Sequence, residues 1–200
     1  MEKIIGMGAE AVLIHKDGKL IKIRKRKSYR LQVLDEKLRK QRTKKEAKLL
    51  EKAAKLIPVP KIFKTDEKEE IDMEFLEGKK LSENLDNLKN AEEICIEIGR
   101  NIAKLHDADI IHGDLTTSNM ILKDNKVYFI DFGLGFESKK IEDKAVDLHL
   151  IKHALEAKHF VHYEKFFKAI LEGYKLSQHH EAAIHRLKAV EKRGRYKQSY

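Results

Sequence analysis

Two short runs near the middle of the chain hold groups from which chemistry could be built. His112-Gly113-Asp114-Leu115-Thr116-Thr117-Ser118-Asn119 reads H-x-D-x-x-x-x-N, and Asp131-Phe132-Gly133 follows it closely. Phosphoryl transfer needs a carboxylate at the attacking hydroxyl and oxygen ligands for magnesium around the triphosphate. Asp114 suits the first task, and Asn119 and Asp131 suit the second. The segment Met120 to Ile130 between them is apolar at both ends and carries Asp124-Asn125 in its middle. It reads as a hairpin with an Asp-Asn turn, which would bring Asn119 and Asp131 side by side.

The elements that must position these groups can be read along the chain. Met1 to Ile5 and Ala11 to His15 read as strands around the turn Gly6-Met7-Gly8-Ala9-Glu10-Ala11. Gly6 and Gly8 let backbone amides approach phosphate oxygens closely. Asp17-Gly18 turns into a third strand, Lys19 to Arg24, with Leu20 and Lys22 on one face and Ile21 and Ile23 on the other. Arg30 to Leu56 is mostly helical, with Glu46, Leu49, Leu50, Ala53 and Ile57 on one stripe. Glu46 on that stripe either needs a cationic partner, for which Lys22 is the obvious choice, or sits at its solvated edge. Pro58 and Pro60 end the helix. Ile62 to Lys64 and Glu70 to Phe75 are two more strands, and Ala91 to His106 is a helix burying Ile94, Ile98, Ile102 and Leu105. After Asp131-Phe132-Gly133, only Leu134 to Lys144 precede a helix expected near Ala145. Asp147 near its start either receives the backbone of the His112 loop or is an ordinary first-turn acid.

The totals bound the reading. The chain has 200 residues, of which 38% are charged and 42% hydrophobic, with a formal net charge of +9 and one cysteine. That length allows one domain, or two small lobes around a cleft. No apolar run is long enough to span a membrane, no cleavable signal is evident, and a lone Cys95 forms no internal disulfide, so a cytoplasmic setting is expected. The charge is uneven. Arg24 to Lys48 holds twelve basic and three acidic residues, and Arg186 to Lys197 holds six and one. Asp66 to Asp109 holds fourteen acids and six bases. Two basic patches suggest an anionic partner such as nucleic acid, or solvated helix faces. His149, His153, His179, His180 and His185 lack the companions of a zinc set and read as surface residues.

The order of the Gly-rich turn, Lys22, Glu46, H-x-D-x-x-x-x-N and D-F-G resembles the protein kinases. The resemblance implies an α+β, reduced bilobal kinase-like fold. Its N-lobe, 1–76, would be an antiparallel sheet plus a helix. Its C-lobe, 77–200, would be mainly helical, with no activation segment, since no A-P-E follows. It implies ATP and Mg2+ as cofactors, Asp114 and Lys22 as catalytic residues, and Asn119 and Asp131 as metal ligands. The nucleotide would meet Gly6, Gly8, Leu13, Lys22, Glu46, Met73, Glu74, Leu76 and Ile121, with Glu74 C=O and Leu76 N–H at the adenine. Lys25 and Lys27 are rivals to Lys22 but fall past the apolar strand. Two departures stand out: Ala11 replaces the third loop glycine, and Thr116 stands where protein kinases generally carry a lysine.

The H-G-D-L-T-T-S-N string also appears with Ile23-Arg24-Lys25-Arg26-Lys27-Ser28-Tyr29-Arg30, Arg42-Thr43-Lys44-Lys45-Glu46-Ala47 and Lys192-Arg193-Gly194-Arg195. Together they resemble the small kinase subunit of the KEOPS complex, the PRPK-like kinases, over essentially the whole chain. That resemblance implies autophosphorylation and ATP hydrolysis more than peptide phosphorylation, in service of threonylcarbamoyladenosine formation in tRNA. It implies a threonylcarbamoyl-transferase partner, a small subunit docking on the N-lobe, and tRNA reached by the basic patches. In some relatives kinase and transferase form one polypeptide, which would suit a first strand beginning almost at Met1. The competing readings are a RIO-type kinase of ribosome maturation, a small-molecule phosphotransferase, and a nucleotide-binding scaffold without catalysis.

Overall fold

Short apolar, β-branched runs open the chain, Ile4-Ile5 and Ala11 to Ile14, and they form strands. The computed structural model describes residues 2–8 and 10–196, the last three by backbone alone. Met1, Ala9, the Arg195 side chain and Lys197, which entered the expectations above, lie outside the described set. β1 (Glu2–Met7), β2 (Ala11–Lys16) and β3 (Lys19–Arg24) form an antiparallel meander. The β2–β3 turn is two residues long, with φ of 49° at Asp17 and 73° at Gly18. β4 (Ile62–Thr65) and β5 (Glu70–Glu74) complete a five-stranded sheet in the order β1-β2-β3-β5-β4. Against it lies α1 (Gln32–Ala53), which buries Glu46, Leu49, Leu50 and Ala53 on one stripe.

β6 (Lys79–Lys80) and the single turn α2 (Leu81–Asn84) lead into α3 (Ala91–Asp107). α3 buries Ile94, Ile98, Ile102 and Leu105 at the expected spacing. Cys95 is buried with them, and burial pushes its thiol up to about 12. β7 (Ile110–Ile111) precedes the His112 loop. The hairpin is β8 (Met120–Lys123) and β9 (Lys126–Phe129), turning at Asp124 and Asn125, both left-handed with φ of 50° and 58°. β6 pairs with β8, and β10 (Phe136–Glu137) pairs with β7. The helices α4 (Ile141–Lys158), α5 (Tyr163–Tyr174) and α6 (His180–Tyr196) follow. The result is an α+β fold with an antiparallel sheet in the N-lobe and a mainly helical C-lobe. Among the described residues no helix is long and apolar enough to cross a membrane.

Three details differ from the sequence reading. β1 continues through Gly6 to Met7, because a register shift between Ile4 and Gly6 keeps the strand paired. The turn is therefore tighter, closed by Gly8 N–H donating to Ala11 C=O at 3.0 Å. α4 begins at Ile141, not near Ala145, with Glu142 and Asp143 in the first turn where the helix dipole favours acids. Much of the Arg24–Lys48 charge is also matched. Arg39 pairs with Asp35 and Glu69, Arg42 with Glu10, and Lys44 with Glu67.

The C-lobe core rests on one backbone contact that hydropathy does not reveal. A Cβ on Gly99 in α3 would stand 2.0 Å from Ile170 O in α5, and one on Gly173 would stand 2.0 Å from Ile96 O. The two glycines face each other's helices reciprocally, and the axes approach only because neither has a side chain. Gly99→Ala or Gly173→Ala must push the helices apart, and each is expected to cost about 2–3 kcal/mol. Chemical denaturation should record a lower midpoint for both. A midpoint equal to that of the parent would refute the contact.

Candidate active site

β3 carries Lys22 and Arg24 two residues apart, so both side chains leave the same face of the sheet. That face meets the buried stripe of α1 at Glu46, which is 1% exposed. Lys22 Nζ donates to Glu46 Oε1 at 2.5 Å and to Asp131 Oδ1 at 2.9 Å. Arg24 Nη2 donates to Glu46 Oε2. The sequence predicted the first pair and missed Arg24, although the two-residue strand period was sufficient to find it. Burial disfavours the Lys22 ammonium, but Glu46 and Asp131 outweigh that and hold its pKa above the ordinary value. Burial likewise raises Asp131, and Lys22 more than offsets it, leaving the carboxyl below its usual range.

Asp131 itself sits at φ 61°, a left-handed conformation that a non-glycine residue seldom adopts. The hairpin brings it beside Asn119, as the Ile130 N–H donates to Asn119 C=O at 3.0 Å. The Asn119 side-chain amide donates to the Asp114 carboxylate at 2.8 Å and to Asp114 C=O at 2.9 Å. Its Oδ1 is thereby the atom left for a cation. Asn119 Oδ1 with the Asp131 carboxylate is a hard oxygen set, fitted to magnesium.

The loop holding Asp114 is fixed from behind. Asp147 Oδ2 accepts from His112 N–H at 2.8 Å, and Oδ1 accepts from Gly113 N–H at 2.9 Å. His106 Nε2 lies 3.3 Å from the same carboxylate. The His112 ring lies 3.1 Å from Ile130 C=O through Nε2 and accepts from Asp114 N–H through Nδ1. It packs on Phe132 at 4.6 Å. Gly113 has φ 77°, and a Cβ there would lie 2.6 Å from Leu134 O. Further along, His159 joins Asp86, at 2.6 Å, to the buried Thr117 hydroxyl, at 3.1 Å. No motif pointed to His159 or Asp86.

The segment after Gly133 is short and is fastened to α1. Lys52 Nζ meets Glu137 Oε2 at 2.5 Å, and Lys45 Nζ lies 5.6 Å from the Phe136 ring centre. Gly135 packs against Leu49.

Two adjoining cavities lie between the lobes. One of about 330 Å³ has Leu13, Leu20, Met73, Leu76 and Ile121 at its apolar end and Lys22, Asn119 and Asp131 at the other. The next, of about 300 Å³, shares Leu13, Lys22 and Asp131 and adds Gly8, Arg24, Arg42 and Asp114. An apolar slot leading to a charged end fits a nucleotide with its metal. Glu74 lines the first cavity, and its carboxylate is held by Lys123 at 3.0 Å. Gly6 is not among the residues lining either cavity; the bulge turns Ile5 toward the slot instead.

Burial pushes the Asp147 carboxyl up, but hydrogen bonds from His106 and the His112 N–H leave it below the ordinary value. A depressed folded pKa means that its contribution is complete above about pH 4 and disappears as pH falls further. Asp147→Ala strands one buried and one part-buried N–H donor and should cost on the order of 3 kcal/mol at neutral pH. Urea titrations at pH 7 and pH 3 should show that deficit shrinking in acid. An equal deficit at both pH values would exclude the ionised carboxylate as its source.

The chain matches the RIO domain model over residues 12–162. It is 44% identical to the KEOPS complex subunit Bud32 of Pyrococcus abyssi, covering 90% of this chain and 84% of that one. It is 38% identical to a probable serine/threonine-protein kinase BUD32 homolog of Archaeoglobus fulgidus, covering 95% and 94%. A probable bifunctional tRNA threonylcarbamoyladenosine biosynthesis protein of Methanobrevibacter smithii is 42% identical, and the chain spans 37% of its length. Among solved structures, the fold matches a Rio2 kinase–ADP/Mg2+–phosphoaspartate complex from Chaetomium thermophilum with a TM-score of 0.65 at 15% identity, covering 98% of this chain and 70% of that one. It also matches a streptomycin–ATP–APH(2″)-IIa ternary complex, with a TM-score of 0.61 at 13% identity and coverage of 94% and 81%. A kinase fold with a RIO domain, joined to this identity over nearly the full length of small Bud32 relatives, means that the chain belongs to the Bud32 family of RIO-domain kinases.

Proposed function

We propose that this chain is an ATP- and Mg2+-dependent phosphotransferase and ATPase of the serine/threonine kinase class, serving threonylcarbamoyladenosine modification of tRNA in a KEOPS assembly. The observation that carries the chemistry is Lys22 Nζ held between Glu46 and Asp131, where the cavity lined by Asn119 adjoins the one lined by Asp114. The lobes, 1–76 and 77–200, enclose the nucleotide. Leu13, Met73, Leu76 and Ile121 contact the base, with Glu74 C=O and Leu76 N–H as its hydrogen-bonding groups. Gly8 contributes backbone to the phosphates, and Gly6 acts through the shape of its strand. Lys22 steadies the α- and β-phosphates while Glu46 aims it. Asn119 and Asp131 would hold magnesium, which would supply positive charge against the phosphate oxygens. Asp114 accepts the proton of the attacking hydroxyl or water. A new O–P bond then forms at the γ-phosphorus as its bond to the bridging oxygen breaks and ADP departs.

The biological setting rests on the relatives. One is named as a KEOPS subunit, and the longer bifunctional relatives join this kind of chain to additional sequence. The partners are accordingly the threonylcarbamoyl-transferase, a small subunit on the N-lobe, and tRNA reached through the basic faces, in the cytoplasm. A RIO-type role in ribosome maturation is supported only by the domain match.

Asp131→Asn keeps a residue that tolerates left-handed φ while removing the metal-binding charge. It should lower single-turnover ATP hydrolysis on the order of a thousandfold with an unchanged melting curve. Lys22→Ala should act in the same direction. Hydrolysis at the parent rate by either variant would sink the assignment.

With Thr116 in the catalytic loop and so few residues between Gly133 and α4, the isolated chain should label itself or water rather than added peptides. A peptide array with radiolabelled ATP checks this. Strong, sequence-selective labelling would contradict it.

A further inference from the structure

Arg24 is 6% exposed, yet its Nε has no hydrogen-bond partner among the described residues. A buried guanidinium donor left unmet is costly, and such a group calls for an acceptor. The visible partner, Glu46, takes only Nη2. Arg24 stands opposite Ala11 on β2, at the end of the Gly-rich turn, one strand period beyond Lys22 opposite Leu13. It lines the cavity that also holds Asp114 and Asp131. A Cβ on Gly133 would be 2.9 Å from Asp131 Oδ1 and 3.5 Å from Arg24 Nη2, so the guanidinium lies close to the metal-binding carboxylate.

The charges around this cavity leave a task unfilled. Lys22 is already shared by two carboxylates. Arg42 is part-exposed and bound to Glu10 at 2.5 Å. The catalytic loop offers Thr116 where protein kinases generally carry a lysine. Arg24 is therefore a buried cation, lining the same cavity as Asp114, with a donor unmet.

We propose that Arg24 is a second phosphate-binding residue, directed at the terminal phosphoryl group of the triphosphate, and that it supplies from β3 the cation absent at Thr116. This rests on the nucleotide reading above. Lys22 then serves the inner phosphates and Arg24 the outermost one, with Glu46 orienting both through its two oxygens. A planar fork suits the task, because Nη2 stays on Glu46 while the remaining N–H groups of the guanidinium are left for the phosphoryl oxygens.

The test compares nucleotides that differ by that one phosphate. Binding of Mg2+-ADP and of a non-hydrolysable Mg2+-ATP analogue is measured by calorimetry for the intact chain, Arg24→Gln and Arg24→Lys, alongside melting curves. Arg24→Gln is expected to lose about tenfold or more in affinity for the ATP analogue, with ADP affinity kept within about threefold. Equal losses for the two nucleotides would overturn the proposal and leave Arg24 as a partner of Glu46 only. If Arg24→Gln does not fold, Arg24→Lys decides. A lower ATP-to-ADP preference in that variant supports the proposal, and an unchanged preference overturns it. Absence of any nucleotide binding by the parent chain would refute the nucleotide site itself, which is a separate failure.

Discussion

One carboxylate, that of Glu46, sits where a strand, a helix and the Asp131 turn converge, and it holds two cations. An isolated charge at 1% exposure would be strongly destabilising, and so would either cation without it. The set is close to neutral as a group: Lys22 and Arg24 balance Glu46 and Asp131. Well-packed apolar residues in place of such a buried cluster are often no less stable, so its net contribution to stability is small. Here the ion pairs fix the register of α1 against β3 and the direction of both basic side chains. They also give Asp131, at a left-handed φ, a reason to stay in a conformation its backbone disfavours.

The second fixed point lies in the C-lobe, and it works by backbone rather than charge alone. Asp147 accepts two consecutive N–H groups at the start of the His112–Asn119 loop, and His159 reaches Thr117 in its middle. His112 spans the gap to the strand before Asp131 and rests on Phe132. Asp114 is therefore mounted on a loop tied at three places to α4, to the hairpin and to the loop after α4. The helices behind are themselves drawn together by the Gly99 and Gly173 contact. Placement of one carboxylate thus depends on packing reaching across the whole lobe.

Much of this was legible because it follows short periods. The hairpin and its Asp124-Asn125 turn, the apolar stripe of α3, and the meeting of Lys22 with Glu46 all come from spacings of two or three to four residues. What escaped reading has no such local signature. Gly99 and Gly173 look like ordinary helix-interior glycines until their partners in space are known. The Asp86–His159–Thr117 chain joins residues more than forty positions apart, and nothing in one segment announces the others. The bulge between Ile4 and Gly6 is invisible to simple alternation, so the sequence does not show that Ile5 lines the cleft. Part of the Arg24–Lys48 charge is matched by Glu10, Glu67 and Glu69, which belong to other stretches of the chain and cannot be seen from that segment alone. Arg24 itself was counted as part of a surface patch, although its strand period aligned it with Lys22.

The fastening of α1 onto the short segment after Gly133 has a consequence for when ordering entropy is spent. Lys52 on Glu137, Lys45 over Phe136 and Leu49 against Gly135 seat the helix as part of folding itself. In a protein whose corresponding helix swings freely, the conformational entropy of docking it is charged against ligand affinity or against turnover. Here that cost falls on the folding equilibrium, and the cleft is presented ready-made. Its competence is then tied to the integrity of the fold: conditions that loosen β10 loosen the geometry around Glu46 with it, and heat or denaturant would erode function along the same curve as structure.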